Sequence, residues 1–205
     1  MKKLAILGAG GHAKVVADIA LLSGWDEVAY FDDKFDGVKT FYRGQTLGTI
    51  NDLKNYLNLF NGFIVAIGDN SKRLNFINEF KPLLKLVTLI HPSALISPSV
   101  TIADGVVVMA HVSINAATKI EQGCILNTNC SVDHDCHIAE AVHICPGSTL
   151  AGNIIVGKCS WVGIGSSIIE GLKIGESVII GAGATVIKDI EDNLKVVGTP
   201  ARPLC

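Results

Sequence analysis

The sequence has almost no charge of one sign to spare: 17 lysines and arginines stand against 19 aspartates and glutamates in 205 residues. That balance removes the electrostatic case for a nucleic-acid partner. No CxxC pair occurs among the six cysteines, which excludes the metal and dithiol motifs built on that spacing. Cys124, Cys130 and Cys136 recur six residues apart and read as buried small-residue packing rather than redox chemistry. Long apolar runs are missing too. The opening one stops at Leu7, before Gly8, short of a secretory h-region, and nothing approaches the length of a membrane span. A cytoplasmic protein without membrane contact is expected.

What the sequence does have is a period. From Ile90 through Ile96, Ile102 and Val108 to Val186, every sixth residue is Ile, Leu or Val without a miss. If about a third of residues were aliphatic, such a run would arise by chance below roughly one time in ten million. An α-helix repeats its faces at about 3.6 residues and a strand at 2, so neither explains a strict six. A coil that turns a corner every six residues does: the hexapeptide β-helix. Four residues after each aliphatic comes a small or apolar side chain, as at Val112, Thr118, Cys124 and Ser148. Glycine directly follows the aliphatic at Gly157, Gly163, Gly175 and Gly181, and a corner there would use its permissive backbone. The resulting apolar column is too narrow to enclose a ligand, so chemistry is expected on its outside.

Residues 1–89 lack the hexad. Strands are expected at Lys3–Leu7, Glu27–Phe31, Phe63–Ile67 and Leu86–Ile90, and helices at His12–Ser23, Asp52–Phe60 and Ser71–Phe80. That alternation predicts a small Rossmann-like parallel sheet covered by helices. Gly8-x-Gly10-x-x-Ala13 follows the first strand, and Asp32 lies near the place of the ribose-binding acid of the dinucleotide fingerprint. Glycines there let backbone N–H groups approach a phosphate at a helix N-terminus. A dinucleotide site uses two βαβαβ halves, and only about one fits before Ile90. A mononucleotide headgroup is therefore favoured, with a ligand-free tight turn as the plain alternative. The expected division is an α/β domain over 1–89, the solenoid over 90–188 and a C-terminal tail over 189–205.

Several stretches match one family in order. They are Gly8-Ala9-Gly10-Gly11-His12-Ala13-Lys14, Phe31-Asp32-Asp33-Lys34, Ala66-Ile67-Gly68-Asp69-Asn70, Val132-Asp133-His134-Asp135-Cys136, Ala151-Gly152-Asn153 and Val197-Gly198-Thr199-Pro200-Ala201-Arg202-Pro203. The chain resembles the bacterial nucleotide-sugar acetyltransferases, a family that includes sialic-acid O-acetyltransferases. The resemblance implies a left-handed β-helix of triangular coils, a homotrimer with each site between adjacent solenoids, and acetyl-coenzyme A as co-substrate. It implies His134 as general base and Asp135, where the family usually has Glu, as the acid that orients it. Asn127, His143, Gly152, Ile164 and Ala182 match the acetyl-coenzyme A side, with the Gly152 N–H facing the thioester carbonyl. Gly10, Gly11, His12, Asp32, Asp33, Lys34, Gly68 and Asn70 match the nucleotide-sugar side.

The residue types suit that chemistry. A sugar amine attacking a thioester sheds a proton, which a histidine titrating near neutrality can take. A backbone N–H at a glycine can serve the oxyanion. The expected activity is acetyl-coenzyme A-dependent N-acetylation of a nucleotide-linked 4-amino-4,6-dideoxy sugar, with UDP the expected nucleotide. Two alternatives stand beside it: an O-acetyltransferase acting on sialic acid or another sugar, and a non-catalytic nucleotide-sugar-binding protein. No metal is expected, because His134, His137 and His143 lack the five-residue pairing of the hexapeptide carbonic anhydrases. His111 and His137 read as surface or packing residues.

Overall fold

The computed structural model describes residues 1–204. Its contacts divide it into a unit from Met1 to Pro92 and a second from Ser93 onward, three residues beyond the expected boundary. The first unit holds strands β1 (Lys3–Leu7), β2 (Glu27–Phe31), β3 (Lys39–Phe41), β4 (Gly44–Gly48) and β5 (Gly62–Val65), with helices α1 (Gly11–Leu22) and α2 (Asn70–Phe80). The sheet order is β3-β4-β2-β1-β5, parallel except for the β3–β4 hairpin. Helix α1 buries Ala13, Val16, Ala17, Ile19 and Ala20, a spacing that puts them on one face. Asp69 caps α2 by accepting the Lys72 N–H at 2.8 Å. Leu7, Phe31, Phe63, Ile77 and Phe80 share one core cluster.

Three details differ from expectation. The helix expected over 52–60 is two 3-10 segments, Ile50–Asn55 and Leu57–Leu59. A capping box between Thr49 and Asp52 starts it, but Asn51, Asn55 and Asn58 are weak helix formers and do not propagate an α-helix. The β3–β4 hairpin was not anticipated, because its turn, Tyr42-Arg43, carries none of the usual glycine or asparagine signal. The strand expected at 86–90 shrinks to a bridge between Phe63 and Leu86 and a two-residue strand at 89–90.

In the second unit the hexad becomes two-residue strands, stacked in register at 18-residue intervals on three parallel faces. The first face runs from 95–96 through 131–132 to 185–186, the second from 101–102 through 137–138 to 173–174. The third carries 107–108, 125–126, 143–144, 161–162 and 179–180. The second residue of each strand points inward: Ile114, Val132, Ile144, Val156 and Ile180 are fully buried. Each such side chain is worth about 1.5–3 kcal/mol of burial. The small residue four positions on is buried too, and its polar atom closes the corner. Ser148 Oγ donates to Gly163 O at 2.7 Å, Thr118 Oγ1 to Asp133 O at 2.7 Å and Cys124 Sγ to Ala139 O at 3.0 Å. Cys124 and Cys136 thus stand in for hydroxyls in the packed column, and burial pushes the Cys130 and Cys145 thiols up to about 12.

The corner glycines need a correction. The left-handed backbone falls three residues after each aliphatic from Ile102 to Ile180, at His111, Ala117, Asn129, Asp135, Asn153 and Gly165 among others, not at Gly157, Gly163, Gly175 and Gly181. Those four glycines serve close stacking instead. A Cβ on Gly157 would lie 2.5 Å from the Gly175 carbonyl carbon, and one on Gly181 2.7 Å from Val197 Cγ1. Residues 189–204 also do more than trail. Lys195–Val197 continues the third face in parallel with 179–180, and Arg202–Pro203 pairs antiparallel beside it. Asp189 and Asp192 accept the Lys173 and Glu176 N–H groups at 2.9 and 2.8 Å. The last coil's open edge is thereby covered, as a repeat array requires.

Candidate active site

His134 stands at the corner between the first and second faces. Its Nδ1 lies 2.8 Å from Asp135 Oδ2, with both side chains more than half exposed. The Asp135 carboxylate, and after it the charge of Asp133, raise the His134 pKa above the ordinary histidine value. Asp133 is itself pinned, accepting Asn115 Nδ2 at 2.7 Å and the His134 N–H at 2.9 Å. Those bonds hold its carboxyl below the usual range. With Nδ1 committed to Asp135, Nε2 is the ring nitrogen that can take a substrate proton.

Asp135 occupies the left-handed corner, at φ 59°. Asp and Asn tolerate that conformation better than longer side chains do, which gives the shorter acid a backbone reason. Gly152 lies 18 residues, one coil, below His134. A Cβ there would sit 2.6 Å from both Cε1 and Nε2 of the imidazole, so the ring rests on the missing side chain. The coils are tied at this point by the Asn153 N–H, which donates to His134 O at 2.8 Å.

Asn127, His143, Ile164 and Ala182 gather elsewhere. Asn127, Ile164 and Ala182 line the corner between the third and first faces, and His143 lies on the strand that leads into it. Asn127 Nδ2 is 3.1 Å from His143 Nε2, and the His143 ring meets Trp161 edge-on at 6.3 Å. Ile164 and Ala182 are exposed one above the other along this corner. Within one chain, then, the seven matched solenoid residues form two clusters on two different edges. His137 has a surface role, with Nε2 3.1 Å from Glu121 Oε1, and His111 occupies a corner at φ 59°.

In the first unit the glycine turn ends β1 and opens α1. Gly8 holds φ 109° under the Ala66 carbonyl, while a Cβ on Gly10, Gly11 or Gly68 would meet nothing within 4 Å. The turn is approachable. Asp32 accepts the Ala9 N–H at 2.7 Å and the Lys34 N–H at 2.9 Å, so its carboxylate first of all shapes the turn and the loop after β2. Asp33 accepts the Ile50 N–H at 3.3 Å. His12 Nε2 is buried with no hydrogen-bond partner among the described residues. Burial, then the charge of Arg73, lower the His12 pKa to about 4.

A cavity of about 310 Å³ opens beside the turn, lined by Ala9, Gly10, Asp32, Lys34, Phe41 and Thr46 among others. It lies at the carboxyl ends of the parallel strands, where open α/β sheets bind ligands. Phe41 and Thr46 come from the unanticipated hairpin, so no sequence signal marked them. A larger cavity, about 400 Å³, lies among Lys3, Asp26, Glu27 and Arg43 at the opposite strand ends, away from every matched motif. No group of three or more His, Cys, Asp or Glu that could hold a metal ion occurs among the described residues. No helix among them is long and apolar enough to cross a membrane.

Comparison with known proteins places this geometry. Residues 3–80 match the PglD N-terminal domain. The acetyltransferase domain of PglB from Neisseria gonorrhoeae superposes with a TM-score of 0.94 at 40% identity, covering 100% of both chains. Perosamine N-acetyltransferase from Caulobacter crescentus, solved with CoA and GDP-perosamine, superposes at 0.95 with 36% identity over 100% of this chain and 98% of that one. The chain belongs to this family of sugar N-acetyltransferases. UDP-N-acetylbacillosamine N-acetyltransferase of Bacillus subtilis is 39% identical over 100 residues, 46% of this chain and 45% of that protein. The chain spans less than half the length of the curated relatives it matches. One unit carries an approachable glycine turn, and the other carries an exposed histidine-aspartate pair and an aromatic-lined corner.

Proposed function

We propose that the protein transfers the acetyl group of acetyl-coenzyme A to the amino group of a nucleotide-linked 4-amino-4,6-dideoxy sugar. The observation that carries this reading is the exposed His134-Asp135 pair seated over Gly152. The sugar amine attacks the thioester carbonyl, an N–C bond forms and the C–S bond breaks. His134 Nε2 takes the proton the amine must lose, and the coenzyme A thiolate leaves and is protonated. The Gly152 N–H, which makes no hydrogen bond among the described residues, is available to the developing oxyanion. No acyl-enzyme is required, because the amine is itself the nucleophile.

The glycine turn, His12 and the cavity walled by Lys34, Phe41 and Thr46 take the nucleotide end. The cavity suits one nucleotide headgroup, and UDP is the form we propose. Asn127, His143, Ile164 and Ala182 take the coenzyme. Because they lie on a different edge from His134, a complete site combines edges of two chains, which supports a homotrimer with sites between neighbouring solenoids. A near-neutral chain gives no reason to add a nucleic acid, and we propose cytoplasmic action on small substrates.

The test is a free-thiol assay with acetyl-coenzyme A and a panel of UDP-, GDP- and dTDP-linked 4-amino sugars, with free sialic acid as the competing acceptor. Turnover with an amino-sugar nucleotide is expected. Turnover with sialic acid alone would reassign the protein as an O-acetyltransferase, and coenzyme binding without turnover would leave a binding protein.

A further inference from the structure

Arg73 is only 1% exposed, although no motif marks it and proton transfer does not use it. A buried arginine must be densely hydrogen-bonded to persist, so its bonds show what it holds. Its guanidinium donates to Ile67 O at 2.9 Å, Gly68 O at 3.3 Å and Asn70 Oδ1 at 2.7 Å. The first two lie on the loop between β5 and α2, and Asn70 opens α2. Strand β5 pairs in parallel with β1, so this loop leaves the sheet at the same end as the glycine turn. The two are in contact. A Cβ on Gly8 would sit 2.9 Å from Ala66 O and 3.2 Å from Ile67 Cγ1. The charge of Arg73, after burial, also lowers the His12 pKa.

We propose that Arg73 is a positioning residue for the nucleotide-sugar: its buried fork fixes the Ile67–Asn70 segment against the glycine turn. This rests on the nucleotide-sugar reading above. Fixing that loop sets where the open Gly68 backbone stands relative to Gly10 and Gly11. The same cation, added to burial, keeps the His12 imidazole uncharged. A planar fork is required for two backbone carbonyls and a side-chain amide at once. A lysine supplies the charge but not that geometry.

The experiment measures both KM values and kcat for the full-length protein carrying Arg73→Lys or Arg73→Gln. Arg73→Lys is expected to raise the KM of the amino-sugar nucleotide about tenfold or more, while kcat and the acetyl-coenzyme A KM stay within about twofold. Arg73→Gln should raise it further. A merely structural role would lower thermal stability and move both KM values together, and that outcome overturns the proposal. An unchanged nucleotide-sugar KM in Arg73→Lys overturns it too. Should Arg73→Gln fail to fold, Arg73→Lys decides alone, its integrity checked by coenzyme A binding. A wild-type protein that turns over no amino-sugar nucleotide removes the underlying reading as well, and the wild-type control tells that failure from this one.

Discussion

Two edges of the solenoid share a hexad, a corner geometry and an 18-residue stacking interval, yet they carry different chemistry. At the edge between the first and second faces, His134 projects into solvent over Gly152 with carboxylates on both sides. At the edge between the third and first faces, His143 lies partly buried between Asn127 and Trp161, and the exposed corner positions, Ile164 and Ala182, are apolar. The inward positions hardly differ: Val132 and Leu150 on one approach and Ile144 and Val162 on the other are all buried. The repeat therefore builds a rigid rod, and function sits in the outward exceptions to it. In the function proposed above, one edge moves the proton and the other holds the coenzyme.

The same lesson extends to the first unit. His12 and His134 are one side chain in opposite surroundings. Burial and a cation hold His12 neutral, whereas two carboxylates favour the charged form of His134. Only the second can serve as a proton acceptor that is re-armed near neutral pH.

The largest effect expected at the proton-moving edge comes from His134→Ala, which should lower kcat by about two to four powers of ten. Binding of both substrates should survive, as read by isothermal titration, since the imidazole acts mainly in the transition state. A kcat within threefold of wild type at saturating amino-sugar would end the base assignment. Gly152→Ala comes next. The added methyl must displace the ring from 2.6 Å, and a shift of about 1 Å in a reacting group can cost about a hundredfold. Its loss should appear in kcat with the fold intact by circular dichroism; an unchanged kcat would show that the ring does not need this seat.

Asp135→Asn should cost less, because it leaves the base in place. It has a pH signature of definite sign. Asp135 is the leading cause that raises the His134 pKa, and a base works only when deprotonated. Wild-type activity should fall as pH drops through a value above 6.5, the ordinary histidine pKa. Removing the carboxylate lowers that pKa, so the acid limb moves to lower pH. Amine protonation in the substrate gives an acid limb as well, but the variant does not move it. A limb that stays fixed in Asp135→Asn would contradict the pairing.

Much of the solenoid was legible because its cause is periodic: inward aliphatics repeat at six, and His134 and Gly152 differ by one coil of 18. The corner conformation was not. Nine of its fourteen positions hold Gly, Asn or Asp, but His111, Ala117, Ala141, Cys159 and Ser177 interrupt that pattern, and the glycines that directly follow the aliphatics mark backbone contact between coils instead. In the first unit the glycine turn was readable from a local motif. Asp32's bonds to Ala9 and Lys34, the hairpin that brings Phe41 to the cavity, and Arg73's hold on Ile67 depend on tertiary placement that no local pattern encodes.

In the proposed site the two edges act together across a subunit boundary, and subunit complementation tests this directly. His134→Ala and Asn127→Ala chains, each of low activity alone, are unfolded, mixed in equal amounts and refolded together. If a site takes its base from one chain and its coenzyme corner from the next, random assembly in a closed ring leaves roughly a quarter of sites intact. Activity near a quarter of wild type is the predicted result. Activity no higher than the sum of the two variants, in an assembly shown to contain both chains, would place the base and the coenzyme corner of each site on a single chain and contradict it.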